Sequence, residues 1–152
     1  MNTKRLTVWA FAALLLAGIW YATASPSPET KAEPFYWHVM GEQVHMSLRI
    51  KQEKAGRESV RLDVWLPTAA GAPQQPAVAY FRPGETPAAA RFVPLALASS
   101  GPDPYGFEGF DKFTYTAPAG AYLGDGGAWR IKVTFADASG QVHEYEKLVE
   151  AP

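Results

Sequence analysis

The 152-residue chain contains no cysteine. That absence excludes thiolate nucleophiles, disulfide staples, cysteine-based metal sites and a lipid-modified cysteine together. Positive charge is not in excess either. Fourteen Lys and Arg stand against 15 Asp and Glu, for a net charge of −1, so nothing offers phosphates a basic field and no nucleic-acid partner is expected. No Gly-x-Ser-x-Gly elbow occurs, and the three His residues have no evident Ser or Asp arrangement around them. Nucleophilic catalysis therefore has no parts to work with, and the chain is expected not to be an enzyme. Long amphipathic helices are missing as well. Thirteen Gly and 13 Pro favour short elements joined by frequent turns.

A long uncharged run is present, at the start. Lys4 and Arg5 are the only early charges, Leu6 to Tyr21 carries none, and Ala22-Thr23-Ala24 places small side chains where a signal peptidase reads them. Residues 1–24 are therefore expected to be a signal peptide or a membrane anchor, and both readings stand. From Leu6 to Ala24 the segment is about long enough to span a bilayer, and in that form it would tie the protein to the membrane. A positive start keeps the N-terminus in the cytoplasm and sends the rest outside. The expected location is extracytoplasmic, periplasmic or at the cell surface, with the domain secreted or anchored by an N-terminal helix. Residues 25–34, Pro-rich and polar, read as an extended tether, and 35–152 as the folded domain.

Alternation of period two recurs along that domain. Val44, Met46, Leu48 and Ile50 alternate with His45, Ser47, Arg49 and Lys51; Gln52 to Ser59 reads as a solvated hairpin loop. Val60, Leu62, Val64 and Leu66 alternate with Arg61, Asp63 and Trp65, and Pro67 closes the strand. Further strands are expected over 77–82, 91–97 (with Pro94 marking an edge or bulge), 113–116, 129–135 and 142–149, with a Gly/Pro-rich loop over 99–109. About seven strands with turns at this spacing predict an all-β, immunoglobulin-like two-sheet antiparallel β-sandwich.

The C-terminal half carries a resemblance. Phe113-Thr-Tyr115, Gly120-Ala-Tyr122-Leu123, Gly126-Gly127-Ala-Trp129-Arg130-Ile131-Lys-Val133, then Asp137 and Gly140 resemble the closing strands of the YtkA-like/FixH-like family of bacterial extracytoplasmic immunoglobulin-like domains. Similar modules lie at the end of some copper-import membrane proteins. The resemblance implies a non-enzymatic binding or accessory module, with a link to copper handling or to a membrane-protein partner. The family's Met- and His-rich central segment is not apparent here.

Two groups of residues carry candidate chemistry. In His38-Val-Met40-Gly-Glu-Gln-Val-His45-Met46, imidazole and thioether are ligands suited to copper, Cu(I) above all. His38 and Met40 share a face of an extended strand, and with His143 they form the expected ligand set. Met46 falls in register with the core, and His45 reads as a solvated strand residue. The loop holding Asp103, Tyr105, Phe107, Glu108, Phe110 and Asp111 interleaves rings with carboxylates, a pattern that suits a sugar ring or a partner protein. Alternatively, Phe107 and Phe110 fold back to plug one end of the sandwich. The chain alone thus points first to a binding or accessory module. The alternatives are an envelope carbohydrate-binding domain and an assembly subunit that pairs strand to strand with a membrane complex.

Overall fold

A computed structural model describes residues 35–54, 56–103, 106–124 and 126–151. The leader and tether expected over 1–34 lie outside the described residues, all of which belong to the compact unit Ala32–Pro152. Among the described residues no helix is long and apolar enough to cross a membrane.

The chain folds as a two-sheet antiparallel β-sandwich. Its strands are β1 (Phe35–Met40), β2 (His45–Lys54), β3 (Arg57–Pro67), β4 (Gln74–Phe81), β5 (Arg91–Phe92), β6 (Ala96–Pro102), β7 (Phe110–Gly120), β8 (Gly127–Ala136) and β9 (Val142–Ala151). One sheet has the order β1-β2-β3-β7-β6 and the other β5-β4-β8-β9. Alternation decides which side chains meet between them. Met46, Leu48 and Ile50 of β2, Val60, Leu62, Val64 and Leu66 of β3, and Phe113 and Tyr115 of β7 face Val78 and Tyr80 of β4 and Trp129, Ile131, Val133 and Phe135 of β8 in one buried cluster.

The strands outnumber the expected seven because the backbone pairs further than the apolar pattern reaches. Phe35–Met40 adds an edge strand beside β2, with Trp37 opposite Leu48. The expected loop over 52–59 shrinks to a tight turn, since β2 runs to Lys54 and β3 starts at Arg57, with Gly56 at φ 70°. The single strand expected over 91–97 divides in two. Arg91 and Phe92 pair with β4, whereas Ala96 onward pairs with β7 in the other sheet. Pro94 has no N–H to give a ladder, so the chain changes sheets there. Pairing with β7 also makes a strand of Ser99–Pro102, leaving a shorter loop before Phe110.

The sheet edges differ in character. On β9 the ammonium of Lys147 sits 5.8 Å from the Phe35 ring and 6.0 Å from Trp37, while Glu144 and Glu146 face outward in ion pairs with Lys132 and Arg130. An inward charge of this kind discourages a second chain from adding to the edge. Edge strand β5 has only two residues. Edge strand β6 has seven (Ala-Leu-Ala-Ser-Ser-Gly-Pro), none charged.

Candidate functional site

The outer face of the five-stranded sheet collects most of the chemistry. The register sets its side chains in rows. Met40 lies opposite His45, His45 opposite Trp65, and Trp65 opposite Lys112. In the next row His38 lies opposite Ser47, Ser47 opposite Asp63, and Asp63 opposite Thr114. Tyr36, Arg49, Arg61 and Thr116 form the third.

Ser47 is small, and its place between larger neighbours matters. The rings of His38 and Trp65, two strands apart, approach to 6.3 Å between centroids, and Ser47 is buried. Tyr36 follows His38 at 6.2 Å. Trp65 donates its indole N–H to Asp103 Oδ2 at 3.0 Å and has the Lys112 ammonium 4.8 Å from its ring centroid, within cation–π range. Beneath Lys112, the buried Asp63 accepts from the Thr114 hydroxyl at 2.6 Å and from Arg61 Nε at 3.1 and 3.0 Å. A polar depression of about 200 Å³ lined by Ser99, Ser100, Asp103 and Lys112 adjoins Trp65's neighbours.

The loop before β7 folds onto this face. Phe107 stacks on the His45 ring at 4.1 Å and 7°, and Phe110 meets it edge-on at 5.3 Å. His45 is therefore not the solvated residue its strand position suggested. It is only 7% exposed, and among the described residues its Nδ1 has no hydrogen-bond partner. Burial, with the His38 charge as a smaller contribution, pushes its pKa below the usual imidazole value. Phe107 and Phe110 close over the sheet's outer face rather than an end of the sandwich. Asp103 anchors Trp65, Asp111 accepts from the Thr68 hydroxyl at 3.3 Å, Glu108 is exposed, and Tyr105 lies outside the described residues.

The expected metal ligands separate. His38 and Met40 share the outer face of β1, and Met40 is 63% exposed. His143 belongs to β9 of the other sheet, where it stacks on Phe135 at 5.2 Å and shares a 3.2 Å contact between its Nε2 and Asp137 Oδ2. Among the described residues no three His, Asp or Glu side chains converge on a metal position. His45 lies opposite Met40 in the ladder and near enough to His38 to feel its charge.

No family model matches the chain, and no curated protein matches it in sequence. Solved structures with a similar course include the GAE domain of GGA2p from Saccharomyces cerevisiae, 12% identical over 78% of this chain and 98% of that one, with a TM-score of 0.34. The yeast GGA1 GAE domain is 10% identical over 79% and 99%, also with a TM-score of 0.34. A likeness of this degree says nothing about what this chain binds.

Trp65, Ser47, Asp63 and Lys112 were not singled out by the sequence. One signal was available: a tryptophan on the polar side of an otherwise regular strand.

Proposed function

We propose that this chain is a non-enzymatic extracytoplasmic binding module of YtkA-like type, whose working surface is the outer face of the five-stranded sheet. One observation carries the reading. His45 is buried with an Nδ1 that has no partner among the described residues, directly opposite the exposed thioether of Met40 and on the same face as His38. A buried imidazole nitrogen without a partner costs free energy unless something binds it. Two imidazoles and a thioether form a soft donor set suited to Cu(I). Metal handling on behalf of a membrane-protein partner, with the N-terminal segment as leader or anchor, is the role that joins these features.

The test is a titration of purified full-length protein with Cu(I) against a competing chelator under reducing conditions. Binding should weaken at least tenfold in Met40→Ala and in His38→Ala, and should be unchanged in His143→Ala. No Cu(I) binding, or binding indifferent to Met40 and His38, would overturn the metal role.

A second reading, the assembly subunit, draws on β6. An uncharged seven-residue edge with Leu97 more than half exposed can accept a partner strand. A photo-crosslinker at Ser99 should then capture a membrane partner, and one at Glu146 on the charged edge should not. Equal capture at both positions would sink this version.

A further inference from the structure

The two sheets part at the end of the sandwich opposite the β1–β2 turn, leaving a cavity of about 260 Å³. Its floor is apolar: Phe35, Ile50, Leu123 and Val149 line it. Among the described residues its polar side chains are Gln52, Glu58 and Glu150. The alternation explains why the acid points inward. Glu58 is in phase with Val60, Leu62 and Val64 and pairs across the ladder with Gln52, itself in phase with Leu48 and Ile50. The inner face of β2 and β3 therefore changes from hydrocarbon to polar just where the cavity opens.

Glu58 is only 6% exposed. One carboxylate oxygen, Oε2, accepts from the backbone N–H groups of Tyr122 at 2.9 Å and Leu123 at 3.4 Å. Those bonds fix the group's direction, and among the described residues its other oxygen has no hydrogen-bond partner. Among the described residues neither Glu58 nor Glu150 has an ion-pair partner. A buried carboxylate with no countercharge favours a cation beside it. Among the described residues the remaining inward polar side chain, Gln52, pairs with Glu58 across the ladder, so the far end of a ligand meets hydrocarbon. At this size the cavity is also smaller than a typical drug-sized site.

We infer that this cavity binds a small amphipathic cation: a primary ammonium seated at Glu58 with a short hydrocarbon tail between the sheets. The ammonium donates to the other oxygen of Glu58, Glu150 adds negative charge at the mouth, and the tail displaces water from Ile50, Leu123 and Val149. Recognition needs both ends. An alkylcarboxylate of the same length is repelled by the two acids, and an alcohol lacks the charge.

Hexylammonium, hexanol and hexanoate are the probes, added to full-length protein and followed by amide chemical shifts and calorimetry. Hexylammonium should shift the amides of Glu58, Leu123 and Val149 and bind at least tenfold more tightly than hexanol, while hexanoate should not bind. Glu58→Gln keeps an oxygen for the two backbone N–H groups but removes the charge, and it should reduce hexylammonium binding about tenfold or more. Gly124→Leu adds bulk among the lining residues where a Cβ meets nothing closer than 3.7 Å, and it should block hexylammonium and hexanol alike while the protein stays folded. Equal binding of hexanol and hexylammonium, indifference to Glu58→Gln, or no binding to folded protein would each overturn the inference. If Glu58→Gln fails to fold, Glu150→Gln and the hexanol comparison decide the charge requirement.

Discussion

Replacing Asp63 with alanine asks whether the outer face of the five-stranded sheet is held by its polar middle or only by the core beneath it. The carboxylate has three neighbours of unequal weight. Arg61 binds it at 3.0 Å but is 45% exposed, and a pair so wet contributes less than about 1 kcal/mol. Lys112 stands at 4.0 Å and adds less. The Thr114 hydroxyl is buried and donates at 2.6 Å, a charge-assisted bond whose net contribution is about 1.5–3 kcal/mol. Alanine removes all three contacts and strands a buried hydroxyl. The expected loss is about 2–4 kcal/mol. Thr114→Val alone should cost about 1–2 kcal/mol, and the two changes together should show a coupling of the same size. Urea unfolding of the full-length protein by tryptophan fluorescence measures these values, with an unchanged slope confirming that the folded state is the same. A loss below about 0.5 kcal/mol for Asp63→Ala, or no coupling to Thr114, would refute the reasoning.

Arg82 lies 3.7 Å over the Trp129 ring and donates to the carbonyls of Gly126 at 2.6 Å and Ala128 at 3.1 Å; Arg82→Met is expected to cost about 2–3 kcal/mol in the same unfolding assay. Lys147→Val removes the inward charge of β9, and light scattering should then show concentration-dependent association absent from the parent. The Asp137 carboxyl is held at about 2, first by the Ser139 hydroxyl and further by His143 and the backbone N–H groups of Gln141 and Ser139. Its contribution to stability is therefore fully present above the ordinary value of 3.8 and is lost as pH falls through about 2. The stability gap between the parent and Asp137→Asn should narrow over that window, and a constant gap would count against the assignment.

The fold was legible wherever apolar residues alternate over four positions. Val60 to Leu66 and Trp129 to Phe135 display their buried faces openly, and both lie in the core. Pro94 announced a disturbance, but not that the chain crosses between sheets there, because a sheet change depends on which strand waits on each side. Ser99–Pro102 carries turn residues and is a strand only because β7 pairs with it. Edge strands bury little, so their composition is weakly constrained. The site was half legible for a related reason. His38 and Met40 could be placed on one face from their spacing alone. The burial of His45 could not, since its cover comes from Phe107 and Phe110 far along the chain. Ser47 mattered only once the rings on either side of it were known.

The pairing of β3 with β7 has a consequence for how the chain reaches its folded form. Thr114 and Asp63 are 51 residues apart in sequence, and between them lie β4, β5 and β6. When the chain emerges from its N-terminus, β1, β2 and β3 can form a meander by local turns, but the second edge of β3 must wait for β7. Closing so large a loop is slow relative to making hairpins. Meanwhile Leu62, Val64 and Leu66 have no opposing sheet to cover them, and the waiting edge invites other strands. The early hairpins are thus the protein's most vulnerable state, and the arrival of β7 is the step that ends it.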